Sequence, residues 1–146
     1  MVDWYSKLYS LFRWEGCYST LGHIRSGVRQ GGDLSQALFN IYIRCVIDSL
    51  VKSALGCHVY DVYVGCLMYA DDIVLLSASV VHFQSILDIG RKEGPNIDII
   101  FNAKKSSLFT VGKSYNKNID NIYLGADEVL WSPRLNYLRL TFKAGI

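Results

Sequence analysis

The feature that most restricts this chain is a pair of adjacent carboxylates, Asp71-Asp72. They sit between two short apolar runs, Gly65-Cys66-Leu67-Met68-Tyr69-Ala70 before and Ile73-Val74-Leu75-Leu76-Ser77-Ala78 after. Each run has about the length of one strand and is rich in β-favouring residues. The pattern therefore predicts strand, tight turn and strand over residues 66–78, with the acids at or beside the turn. Successive strand residues point to opposite faces, but a turn relaxes that rule and lets neighbouring carboxylates converge. Oxygen donors so placed suit a hard divalent cation such as Mg²⁺, which takes one or two carboxylates and leaves its other positions to phosphate. Asp is also a common turn residue, so the hairpin alone reads first as a plain solvated turn and only second as a metal site.

The same acids exclude a membrane span. The most hydrophobic window, residues 59–81, is interrupted by Asp61, Asp71 and Asp72, whose placement in hydrocarbon would be costly. The start, Met1-Val2-Asp3-Trp4, lacks the basic region and apolar core of a signal peptide, so an intracellular setting, nuclear or cytoplasmic, is expected. With 146 residues, 51% of them apolar, the chain is long enough for one domain with its own core, and no repeat or linker divides it. The four cysteines, Cys17, Cys45, Cys57 and Cys66, show no metal-binding spacing and read as reduced core thiols. His23, His58 and His82 have no partner nearby in sequence and read as structural or exposed.

At the front, Asp3 is placed to cap a short helix with Trp4, Leu8, Leu11 and Phe12 on one stripe. Residues 14–24 follow, with spaced glycines and β-favouring residues that suggest one or two short strands. Next comes Gly27-Val28-Arg29-Gln30-Gly31-Gly32-Asp33. Three glycines in six residues permit positive φ and close backbone approach, and Asp33 with Gln36 resembles a capping box at a helix start. Amides exposed there favour phosphate, although the loop is neither a P-loop nor Gly-x-Gly-x-x-Gly. The helix then runs through Leu34, Leu38, Ile41, Cys45, Val46, Leu50 and Val51, a stripe that must lie on a sheet or another helix. A second amphipathic helix is marked by Val80, Val81, Phe83, Ile86, Leu87 and Ile89 and ends near Gly94-Pro95. Short strands are expected at 97–101, 107–111, 122–124 and 135–142. Between residues 99 and 119, Lys104, Lys105, Lys113 and Lys117 occur with no acid, a basic strip that suits a polyanion, although a solvated Lys-rich face is the usual explanation.

Taken together, Gly27-Val28-Arg29-Gln30-Gly31-Gly32, Leu34-Ser35, Leu38-Phe39-Asn40 and Tyr42, followed about thirty residues later by Tyr69-Ala70-Asp71-Asp72, resemble the reverse transcriptases of non-LTR, LINE-like retrotransposons. Phe101-Asn102-Ala103-Lys104-Lys105-Ser106 is similar to that family's lysine-bearing motif, and Leu135-Asn136-Tyr137-Leu138 to its Tyr-Leu-Gly hairpin. The resemblance implies an α+β fold: the palm of a right-hand polymerase, a small antiparallel sheet backed by helices, as a single partial domain over residues 1–146. It implies an RNA-directed DNA polymerase acting with Mg²⁺, or Mn²⁺, on an RNA template, a DNA primer and deoxynucleotides.

Carried over by residue, Asp71 would bind the metal and Asp72 would assist. Tyr69 would lie against the primer end, and Arg29, Gln30 and Gly31 would touch template and incoming nucleotide. Lys105, with Lys104 beside it, would sit near the leaving pyrophosphate, where a cation offsets developing charge. The glycine loop is then expected within reach of the acidic tip. Residues 1–26 contain no match to the family's upstream apolar-Asp-x-x-x-Ala-Phe-Asp strand, Asp3 being the only Asp there, so a palm truncated at its front is expected, inactive on its own. Gln36 stands where the family has Pro, Arg139 where it has Gly, and Gly94-Pro95-Asn96 departs from its loop. The competing reading is a non-catalytic nucleic-acid-binding or interaction module derived from such an element.

Overall fold

Tight reversals set the architecture. Five two-residue loops join strands among the described residues, and each puts at least one residue in the left-handed region: Glu15-Gly16 (φ 47° and 84°), Tyr60-Asp61 (53° at Tyr60), Ala70-Asp71 (50° at Ala70), Gly125-Ala126 (75° at Gly125) and Leu138-Arg139 (50° and 65°). Positive φ at the first or at both loop positions gives the turn a twist matching that of the flanking strands, which is why two-residue hairpins use it. The computed structural model describes residues 7–25, 27, 31–32, 34–112 and 119–144. By its contacts the chain falls into two units, Met1–Phe39 and Asn40–Ile146.

In the first unit, β1 (Tyr9–Ser10), β2 (Arg13–Trp14), β3 (Cys17–Tyr18) and β4 (Gly22–His23) form one antiparallel ribbon folded at Glu15-Gly16. Trp14 pairs with Cys17 and Arg13 with Tyr18; beyond a break at residues 20–21, Ser10 pairs with Gly22 and Tyr9 with His23. The amide of Phe12 donates to Ser19 Oγ and the amide of Ser19 donates to the Phe12 carbonyl, both at 2.9 Å. This corrects the expected helix over Leu8, Leu11 and Phe12. Gly16, at φ 84°, reverses the chain so that 9–14 finds backbone partners in 17–23. Asp3 and Trp4 lie outside the described residues. The strands expected within 14–24 are present.

Helix α1, Ser35–Lys52, begins one residue after Leu34, whose carbonyl accepts the Leu38 amide at 2.9 Å. Asp33, the expected cap, lies outside the described residues. The buried face is Ile43, Val46 and Leu50, while Ile41, Cys45 and Val51 of the expected stripe are exposed. The polar positions Asn40, Arg44, Asp48 and Lys52 recur at i, i+4 spacing and mark the side opposite Ile43, Val46 and Leu50; the phase was misjudged because Ile41, Cys45 and Val51, which flank that polar stripe, were counted with the buried face.

Two hairpins follow, β5 (His58–Val59) with β6 (Val62–Tyr63) and β7 (Cys66–Tyr69) with β8 (Asp72–Leu75). Helix α2, Val80–Glu93, is capped by Ser79, whose hydroxyl accepts from the His82 amide, and passes into a 3-10 turn at Gly94–Ile97. Residues 97–101 contain no strand, because the 3-10 turn and Asp98 in the left-handed region (φ 51°) consume the chain there. In place of a strand at 107–111, Leu108 makes a single bridge to Trp131.

The main core cluster is Ala103, Leu108, Ile122 and Val129, covered by Val80, Phe83, Leu87, Leu124 and Trp131. It joins α2 to the hairpin of β9 (Ile122–Leu124) and β10 (Asp127–Val129). The Gln84 carboxamide pairs with β9 as a strand edge would, donating to the Tyr123 carbonyl at 2.8 Å and accepting its amide at 2.9 Å. The last hairpin is β11 (Arg134–Tyr137) with β12 (Leu140–Lys143). The whole is a mixture of helices and small antiparallel sheets. No helix among the described residues is long and apolar enough to cross a membrane.

Candidate functional site

The acidic hairpin has the register that the alternation predicts. Cys66 pairs with Leu75, Leu67 with Val74, Met68 with Ile73 and Tyr69 with Asp72, with Ala70 and Asp71 forming the loop. Cys66, Met68, Ile73 and Leu75 are partly buried, whereas Leu67, Tyr69 and Asp72 are exposed. Asp72 thus stands on the open face, directly across the ladder from the Tyr69 ring, and Asp71 stands exposed in the turn itself. Two carboxylates and one aromatic ring therefore share one tip. Ala70 carries the positive φ that the reversal demands, at a position where a non-glycine residue is strained by about 1–3 kcal/mol.

The base of the hairpin is fixed by backbone. The Leu76 amide donates to the Gly65 carbonyl at 2.8 Å, the Cys57 amide to the Leu76 carbonyl at 3.0 Å and the Val64 amide to the Cys57 carbonyl at 2.9 Å, so both hairpins meet at one knot. Two glycines make the approach possible. A Cβ on Gly56 would come within 3.1 Å of Gly65 Cα and of the Leu76 carbonyl oxygen, and a Cβ on Gly65 would come within 2.6 Å of the Tyr63 ring. The Tyr63 ring packs edge-on to His58, with centroids 5.2 Å apart, and its hydroxyl is buried without a hydrogen-bond partner. Burial, and then the neighbouring Cys66 and Cys57 thiols, push the Tyr63 phenol above its ordinary value. Burial likewise raises the Cys66 thiol. The sequence analysis missed this knot, and the signal available was the pair Gly56 and Gly65 bracketing the first hairpin.

The lysine motif stands on a different element. Ala103–Lys105 is one 3-10 turn capped by Asn102, whose side-chain oxygen accepts the Lys105 amide at 3.2 Å, while the Ser106 hydroxyl donates to the Asn102 carbonyl at 2.9 Å. Ala103 is buried in the core cluster, and Lys104 and Lys105 are exposed. The motif's Asn and Ala are therefore structural, and its lysines are the groups free to act. Of the loop residues, Arg29 and Gln30 lie outside the described residues. Gly31 is exposed at φ 74° and Gly27 is at 99°, the positive φ expected of them. Among the described residues no group of three or more His, Cys, Asp or Glu side chains is placed to hold a metal ion, so Asp71 and Asp72 have no third such partner.

A mixed helix-and-strand chain with an acid-tipped antiparallel hairpin is the class that fold and site define. The family model for reverse transcriptase (RNA-dependent DNA polymerase) matches residues 2–142, and the chain belongs to that family. Reverse transcriptases as a family act on nucleic-acid templates and use divalent metal ions. A comparison with curated proteins finds no match.

Proposed function

We propose that this chain is the palm portion of an intracellular RNA-directed DNA polymerase of the LINE-like, non-LTR kind, a single partial domain carrying one half of a two-metal site. The observation that carries this reading is the acidic tip: Asp71 in the turn and Asp72 beside Tyr69, both exposed, on a hairpin anchored by backbone bonds. The donor chemistry fits Mg²⁺ or Mn²⁺, because two hard oxygen ligands open to solvent leave coordination positions for phosphate oxygens and water. Asp71 and Asp72 would hold the ion. A bound divalent ion supplies Lewis-acid stabilisation of the phosphoryl oxygens and of the attacking 3′-hydroxyl. The chain's own residues would do the rest: Tyr69 supports the primer end, Arg29, Gln30 and Gly31 meet template and nucleotide, and Lys105 with Lys104 faces the leaving pyrophosphate.

Two-metal transfer needs several carboxylates to hold ions about 4 Å apart. The pairing of Asp71 and Asp72 without a third described acid favours a second reading beside the first, a nucleic-acid-binding module without chemistry of its own. The test is primer extension on a primed RNA template with Mg²⁺ or Mn²⁺, with Asp71→Asn as control, beside Mn²⁺ titration of both proteins. The chain alone is expected to bind Mn²⁺ weakly through Asp71 and to extend nothing. Extension by the intact chain but not by Asp71→Asn would overturn its inactivity, and equal Mn²⁺ binding by both would overturn the metal site.

A further inference from the structure

The ribbon of β1–β4 presents what a folded protein usually hides. Phe12 is 81% exposed and Trp14 78%, and Tyr9, Leu11, Tyr18, Leu21 and Ile24 are exposed as well. An isolated two-stranded ribbon is at best marginally stable in water, and a concentration of large apolar side chains of this kind marks a contact surface. Charge says which kind. Residues 7–25 carry Lys7, Arg13 and Arg25 against the single acid Glu15. The Arg13 guanidinium lies over the Tyr18 ring, 5.7 Å from its centroid, and Tyr9 packs edge-on to His23 at 5.1 Å. One arm of the ribbon therefore interleaves rings with cations, the composition that grips a single-stranded polyanion through stacking plus charge.

Spacing adds a geometric reason. Phe12 and Trp14 lie two positions apart on one arm, about 7 Å along an extended chain. A base held between two rings needs two stacking separations of about 3.4 Å each, which is the same span. The register of this arm is fixed at both rings, by the paired bonds of Phe12 to Ser19 and by the Trp14–Cys17 pair.

We propose that the β1–β4 ribbon is a nucleic-acid contact in its own right, in which Phe12 and Trp14 clamp an unpaired base of single-stranded RNA, while Arg13, over Tyr18 on the ribbon's other face, adds to the positive charge that draws the strand in. The proposal rests on the reverse-transcriptase reading only for the presence of RNA; it needs neither metal nor Asp71. The competing occupant is a second copy of this chain seated on the same rings.

The experiment measures fluorescence anisotropy of a short labelled oligo(U) RNA with the full chain in EDTA. The variants are Phe12→Ala/Trp14→Ala and Phe12→Leu/Trp14→Leu, the second keeping apolar bulk so that the ribbon stays formed. Circular dichroism and sedimentation are followed in parallel. Both variants are expected to bind about tenfold more weakly or worse, as loss of a stacked base implies, with unchanged sedimentation for the Leu variant. Unchanged RNA affinity in the Leu variant overturns the proposal. So does a shift of that variant from dimer to monomer with RNA binding intact, which would identify a second copy as the occupant. Absence of oligo(U) binding by the unaltered chain also overturns it, and leaves the acidic tip to be judged by the Mn²⁺ titration alone.

Discussion

Arg139 shows how a single residue can carry a structural debt. It sits at φ 65°, following Leu138 at 50°, so both central residues of the last hairpin loop occupy the left-handed region without being glycine. Glycine would suit this place for a backbone reason: a two-residue loop with both φ values positive is comfortable only when a residue without Cβ shares it. Arg139→Gly is therefore expected to stabilise the protein by up to about 1 kcal/mol, the relief of strain being partly offset by the greater freedom of glycine in the unfolded chain. Urea midpoints of the two proteins check this; a midpoint lowered by the substitution would mean that the Arg139 side chain makes contacts worth more than the strain. Ala70 is the corresponding case at the acidic tip, where the strain lies next to Asp71.

At the level of elements, the core joint between α2 and β9 combines two unlike interactions, and substitution separates them. Ile122 is 2% exposed within the main cluster, so Ile122→Ala leaves a cavity and is expected to cost about 2–5 kcal/mol. Gln84→Ala removes the two bonds to Tyr123, but those backbone groups are open to water, and the loss is expected near 1 kcal/mol. Thermal unfolding of both variants tests the ranking, which would be wrong if Gln84→Ala were the more harmful. The elements also show what the residues alone could disclose. The acidic hairpin was legible because its alternation is strict and its two acids mark the turn. Helix α2 was legible because most of its apolar positions recur on one stripe and Gly94-Pro95 ends it. The segment 8–12 was misread as helix because Leu8, Leu11 and Phe12 satisfy a helical stripe, while the competing signal, Glu15-Gly16 in a two-residue turn, is local and easily outvoted. The face of α1 was half read: Val46 and Leu50 of the expected stripe are buried, but the polar positions Asn40, Arg44, Asp48 and Lys52 were not used to exclude Ile41, Cys45 and Val51 from it. Asn102 and Ala103 were read only as flanking a lysine motif; Asn102 caps its turn and Ala103 fills the core.

Among the described residues little is deeply buried: eight apolar side chains are buried, while Ile41, Tyr60, Val81, Ile100 and Leu140 are among many left in solvent. Such a protein has a small reserve of stability, so modest terms become visible. The Cys66 thiol and the Tyr63 phenol are both raised, by burial first, from ordinary values of 9.0 and 10.0. The folded state then keeps these protons at a pH where the unfolded chain has released them. Stability from this source is complete below the ordinary thiol value and declines as pH climbs through and above it. Urea midpoints are expected to fall between about pH 8 and about pH 10.5, and to fall less in Cys66→Val. A midpoint that rises over this interval would contradict the assignment.

The knot at Gly56, Gly65 and Leu76 has one further consequence. From Gly65 to Ala70 the strand projects about 17 Å, so a tilt of about 10° at the base swings the carboxylates through about 3 Å. On the proposed reading, chemistry that tolerates displacements of only about 1 Å before losing two orders of magnitude would thereby hang on a cantilever. The aim of Asp71 and Asp72 is set at the fulcrum, by a ring resting on a glycine, far from any atom that would react.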